Sequence, residues 1–217
     1  MDAGEFFILI IVAILAYWFG ANSVAPGISQ GSGFLTDTAT GINFPNSKTF
    51  AVNKGSMSLA GIGTRKKAFI NIYSLGFYVS NPLQKQLTKA AASSSKTTTC
   101  ETILESNQPK AVELTFAMGI GPEKIAEAIA QLANVKEEIK NEFHTMLLDG
   151  MGEGNMKKGE SITFEWKGKD TILASARGKP IGEMKDKALA EGVLQLYLNK
   201  EKGVSPSLLQ NMGCIRE

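Results

Sequence analysis

The stretch Lys67 to Ser80, KAFINIYSLGFYVS, restricts the fold more than any other part of this chain. Ala68, Ile70, Ile72 and Ser74 alternate with Phe69, Asn71, Tyr73 and Leu75, a period of two that suits a long strand or hairpin. Apolar side chains fall on both sides of that alternation. A strand of this kind belongs inside a sheet, with material packed over each face.

The flanking sequence supplies partners for it. Thr49 to Val52 is strand-like, and Ser58 to Gly63 (SLAGIG) reads as a small-residue strand ending at a tight spot. Ala111 to Ala117 alternates cleanly. Ser161 to Trp166 and Thr171 to Ala176 form a hairpin around Lys167 to Asp170, with Gly168 in the turn. Helical patterns cover Pro82 to Ala92 and Thr99 to Ser106, with the polar loop SSSKTTT between them. Pro122 opens a further helix at its favoured first-turn position, with Glu123 behind it and Ile125, Ala128, Ile129 and Leu132 on one face. Val135 to Leu148 and Ala188 to Leu198 are amphipathic, and Ser205, Pro206 and Ser207 start a last short helix. Strands that pair locally, with helices inserted between them, give an antiparallel-rich α+β fold. The βαβ rhythm of a doubly wound sheet is missing.

Three parts divide the chain. Residues 1–25 contain FFILIIVAILAYWFG, an uninterrupted apolar run from Phe6 to Gly20. A bilayer crossing takes about 20 residues, which the run reaches only by including Asn22 and Ser23. Two readings stand: a retained single-pass anchor, or a cleaved signal leading into a secretory or organellar route. Asp2 and Glu5 replace the basic start of a signal peptide, and Pro26 spoils a cleavage after Ala25. Residues 26–40, rich in Gly, Ser, Thr and Asn, read as a linker, with a short strand near Gly41 to Phe44. Residues 41–217 form the domain.

Residues from Lys48 onward hold all 23 basic groups and 18 of the 21 acids. That excess is too small for a nucleic-acid footprint. Hydrophobic content of 43% allows a core without staples. Cys100 and Cys214 give no disulfide framework and no metal-ligand spacing. A single bridge is open to them in an oxidising compartment, but nothing in the sequence brings them together.

Little in the residues alone carries chemistry. His144 is the one histidine, which excludes a histidine-based triad and multi-histidine metal sites. Gly61-Ile62-Gly63 lacks the third glycine and the Lys-Ser/Thr of a phosphate loop, so it fits close packing instead. Glu153 and Glu160 read as solvated acids. Arg65 has the donors to hold a carboxylate with two parallel hydrogen bonds, and Tyr73 and Tyr78 downstream offer hydroxyls. On the residues alone, however, Arg65 reads as the first member of the surface run Arg65-Lys66-Lys67.

Three segments in order change that weighing. LAGIGTRKKAFINIYSLGFYV (Leu59 to Val79), the strand and Pro-Glu-Lys helix start of Lys110 to Ala130, and GEMKDKALAEGVLQLYLNKEKGVSPSL (Gly182 to Leu208) together resemble the chalcone isomerase family. The resemblance spans about Gly41 to Met212. It implies an open-faced β-sandwich, a large antiparallel sheet covered by a layer of helices with a ligand cleft between them. The family holds true isomerases, which cyclise chalcones, and non-catalytic members that bind fatty acids.

Of the isomerase catalytic positions, Arg65 keeps the arginine. The threonine falls on Tyr73, as in the fatty-acid binders. The tyrosine falls near Gly121, the asparagine near Ala128, and the Thr-Met pair on Leu196-Tyr197. The hydroxyls that would order a water and a ketone are gone. The expectation is therefore a binder of a fatty acid or similar amphipath, with Arg65, Tyr73, Tyr78 and Tyr197 as its ligand-binding residues and no metal or cofactor. An intramolecular lyase using Tyr78 or Tyr197, and a scaffold with an empty cleft, are the alternatives.

Overall fold

The computed structural model describes residues 28–31, 33–52, 55–92, 98–132 and 134–215. The anchor-or-signal segment at Phe6 to Gly20 lies outside them. Among the described residues, no helix is long and apolar enough to cross a membrane.

Seven antiparallel strands make the main sheet: β4 (Ser47–Thr49), β5 (Ser56–Lys67), β6 (Ile70–Ser80), β7 (Lys110–Phe116), β8 (Ser161–Lys167), β9 (Thr171–Ala176) and β10 (Lys179–Lys185), in the order β10-β9-β8-β7-β6-β5-β4. Six helices belong to the described residues: α1 (Asn81–Ala92), α2 (Thr99–Glu105), α3 (Pro122–Ala130), α4 (Glu137–Met151), α5 (Lys187–Leu198) and α6 (Pro206–Asn211). They form the layer over one face of the sheet. A second antiparallel sheet comprises β1 (Ile28–Gly31), β2 (Phe34–Asp37) and β3 (Ile42–Pro45). Residues 28–31 and 34–37, read above as linker, are thus strands, and Asp37 is bound into the domain. Its Oδ2 accepts hydrogen bonds from Thr64 Oγ1 at 2.6 Å and Ser74 Oγ at 2.5 Å.

β6 lies inside the sheet, between β5 and β7, as its two-sided apolar pattern requires. Leu75, Phe77 and Val79 face the helices and join the main core with Phe143 and Leu147 of α4 and Leu189, Val193 and Leu194 of α5. Ser74, Gly76 and Tyr78 face the other way. A Cβ on Gly76 would come within 2.6 Å of Phe44 Cδ1, so β3 packs directly on bare backbone there. Trp166 is buried and donates its indole N–H to Ala190 O at 2.8 Å, which ties β8 to α5.

The glycines of β5 seat α6. A Cβ on Gly63 would meet Leu208 N and Ser205 Oγ, both at 2.5 Å, and one on Gly61 would meet Met212 Cγ at 2.5 Å. Close packing, not phosphate binding, is their use. Ser205 caps α6 by accepting from Leu208 N at 3.3 Å, and donates to Thr64 O at 3.0 Å.

Further sequence expectations are corrected. β5 does not stop at Gly63 but runs on through Arg65, because its second half pairs with β6. Thr49 to Val52 contributes only its first residue to a strand, β4. β10 is a strand beyond those read from the sequence; as the edge strand, with a register shift between Pro180 and Gly182, it tolerates both residues. Cys100 and Cys214 are joined in a disulfide with Cα atoms 5.3 Å apart. Long-range packing of the α6 end beside α2 makes that bridge, and no local pattern announces it.

Candidate functional site

Three strands and two helices enclose a cavity of about 880 Å³, within the usual size range of small-molecule sites. β5, β6 and β7 form its floor and α3 and α5 its roof. The floor contributes Arg65, Tyr73 and Phe116; the roof contributes Ile125, Ile129 and Tyr197.

The polar end is built by strand register. Arg65 lies opposite Tyr73 across the β5–β6 ladder, and Tyr73 lies opposite Phe116 across β6–β7. Directly opposed residues point to the same face, so these side chains converge on the cavity. The Tyr73 and Phe116 rings meet edge to face, 6.0 Å between centroids. Arg65 Nη1 donates to Val204 O at 3.1 Å, from the turn that precedes the Ser205 cap. That contact anchors one end of the guanidinium; it is the side-chain hydrogen bond Arg65 makes among the described residues.

Both phenols stay protonated. Burial lifts the Tyr73 pKa to about 12, against the opposing pull of the Arg65 charge. Burial, with Tyr73 as a lesser contributor, raises Tyr197 well above the ordinary tyrosine value. Each is therefore a neutral donor available to a ligand. Lys67, Glu123, Lys124 and Glu127 supply the remaining charge around the cavity.

Of the four residues expected from sequence to bind ligand, the structure brings Arg65, Tyr73 and Tyr197 together. Tyr78 is corrected. It is separated from Tyr73 by an odd number of positions on one strand, and so lies on the opposite face. There it packs in a second cluster with Phe50, Met57 and Ala111, its ring centroid 5.0 Å from that of Phe50, and its buried hydroxyl has no partner among the described residues. His144 does not line the cavity. Glu160 is paired with Arg177 at 2.9 Å, and Glu153 is exposed. Gly121, Ala128 and Leu196 do line it, so every position matched above to an isomerase catalytic residue borders this one space. Sequence reasoning missed the Val204 carbonyl, because a backbone atom leaves no mark on residue type. It also missed Phe116 as a wall, although its place in the alternation of Ala111 to Ala117 was visible.

A family model described as chalcone isomerase-like matches residues 36–212. The chain belongs to the chalcone isomerase-like family. Among solved structures, this family member is similar to a fatty-acid binding protein of Arabidopsis thaliana, with a TM-score of 0.66 and 16% sequence identity. The match covers 82% of this chain and 95% of that one. At that identity the likeness speaks for the fold: a curled antiparallel sheet under helices, the architecture expected from the sequence. A comparison with curated proteins found no match.

Proposed function

We propose that this chalcone isomerase-like protein binds a fatty acid or a similar amphipathic carboxylate. The observation that carries the reading is the meeting of Arg65 with the protonated phenols of Tyr73 and Tyr197 in a cavity whose other walls include Leu114, Phe116, Ile120, Ile125 and Ile129. Arg65 would take the carboxylate with two charge-assisted hydrogen bonds. Tyr73, protonated across the neutral range, would add a third donor. The tail would lie along Phe116, Ile120, Ile125 and Ile129, gaining about 0.8 kcal/mol for each buried methylene. The fatty-acid binding neighbour is consistent with this chemistry. Gly121 and Ala128, which replace hydroxyl and amide groups at the cavity wall, weigh against ordering a water for cyclisation.

Native mass spectrometry of the chain isolated from its source tests the reading. Co-purified fatty acid that disappears in Arg65→Ala is the expected result. An empty cavity, with no change in melting temperature on adding any fatty acid, would overturn it. Turnover of a chalcone well above the uncatalysed rate would instead make the protein an intramolecular lyase.

A further inference from the structure

The β5–β6 hairpin ends in a two-residue turn, Ala68-Phe69, between the paired residues Lys67 and Ile70. Phe69 is 102% exposed, Ile70 55% and Met118 39%; these are the exposed large apolar side chains among the described residues. All three sit at one end of the sheet. The Ala117 N–H donates to Ile72 O at 3.0 Å, which sets the segment after β7 beside the base of the hairpin. Ile72, Met118 and Lys67 also line the cavity, so this apolar tip stands next to its entrance.

The turn is held. Asn71 Nδ2 donates to Ala39 O at 2.7 Å, and the ladder continues to Lys67 opposite Ile70. Ala68 occupies the left-handed region at φ 52°, which fixes the direction of the turn. Lys66 and Lys67 are exposed, and no acid occurs between Arg65 and Asn71. A projecting aromatic flanked by cations matches the interface of an anionic bilayer, where the ring enters the headgroup boundary and the ammonium groups meet phosphate.

We propose that the tip of this hairpin docks the cavity entrance onto an anionic lipid bilayer, with Phe69 and Ile70 inserted and Lys66 and Lys67 on the headgroups. The bilayer is then the source and sink of the ligand, a part of the inference that rests on the fatty-acid reading. Docking itself does not depend on it. The observations are the clustering of the exposed apolar side chains at the entrance and the acid-free, lysine-bearing run of the hairpin itself, Arg65 to Asn71. A second copy of the chain offers no surplus of acid at this tip to complement the lysines.

The apolar run Phe6 to Gly20 can itself hold the chain on a vesicle, so the readout must be local to the hairpin. Full-length chain carrying Phe69→Trp is mixed with phosphatidylcholine vesicles, with and without phosphatidylserine, that contain a brominated phosphatidylcholine. Emission of the parent, from Trp18 and Trp166, is subtracted. The indole at position 69 should shift to the blue and be quenched in the phosphatidylserine vesicles, and less so when Lys66→Glu is added. An indole that stays exposed to water, whether or not the chain is on the vesicle, overturns the proposal. So does shielding that needs only high protein concentration and no lipid.

Transfer of a fluorescent fatty acid to the same vesicles tests the consequence. Its rate should rise with vesicle concentration for the parent. It should fall about tenfold, and lose that dependence, in Phe69→Ser/Ile70→Ser. A probe that never binds the parent in solution defeats the fatty-acid reading, and the position-69 emission then decides docking alone.

Discussion

Arg65 and Lys110 are two cations that this fold treats in opposite ways. Arg65 is held by one carbonyl, Val204 O, and keeps donors turned to the cavity. Arg65→Ala should weaken fatty-acid binding about 10- to 100-fold, the equivalent of losing one or two hydrogen bonds to a charged group. The melting temperature of the empty protein should change little. Arg65→Lys should recover only part of the affinity, since an ammonium cannot present the two parallel donors; titration calorimetry on the three proteins checks both points.

Lys110 is buried at 1% exposure, and its Nζ donates to Ser106 O at 2.8 Å. Burial, with the nearby Lys169 charge adding to it, lowers its pKa to about 8 from the ordinary 10.5. Below about pH 8 the group is charged in folded and unfolded chain alike, and its burial opposes folding in full. Between those two values the folded chain binds fewer protons, so this lysine makes stability rise with pH. Lys110→Met should therefore stabilise the protein by about 1–3 kcal/mol at neutral pH and flatten the alkaline rise. Urea unfolding at neutral and alkaline pH measures both effects. A Lys110→Met protein less stable than its parent at neutral pH would refute the assignment.

Elements here are positioned by contacts that leave no room for a side chain. α6 rests on β5 through Gly63, and a methyl there would sit 2.5 Å from the Leu208 backbone nitrogen. Gly63→Ala should cost about 2–3 kcal/mol. It should also loosen the Val204 turn that holds Arg65, so ligand affinity should fall together with the midpoint of denaturant unfolding. Gly152→Ala makes a useful contrast. No atom lies within 4 Å of its added Cβ, but its φ of 67° and ψ of −171° fall in a region open essentially to glycine alone, so backbone strain is the only cost, about 2–3 kcal/mol.

At the scale of the whole molecule, the Cys100–Cys214 bridge closes a loop with a sequence separation of 114 and fastens the chain's end to α2. Reduction, or Cys100→Ala with Cys214→Ala, should cost about 2–5 kcal/mol, seen as a lower melting temperature in calorimetry. A bridge of this kind persists in an oxidising compartment.

The sequence by itself determined the elements whose cause is local. Alternation marked β6, β7, β8 and β9, and the first-turn proline and serine cap marked α3 and α6. It also determined, through three ordered segments, the family and the retained arginine. Only the tertiary structure decided which side each residue faces and what lies across from it. Tyr78 looked equivalent to Tyr73 on one strand, yet strand parity sends them to opposite faces, one to the cavity and one to a closed core. Tyr197, from a helix far along the chain, joins Tyr73 at the cavity because α5 packs across the sheet. The same holds for the disulfide and for the exposed tip at Phe69. Composition and spacing report what a residue is and what its near neighbours are. Register, face and distant contact belong to the packed chain.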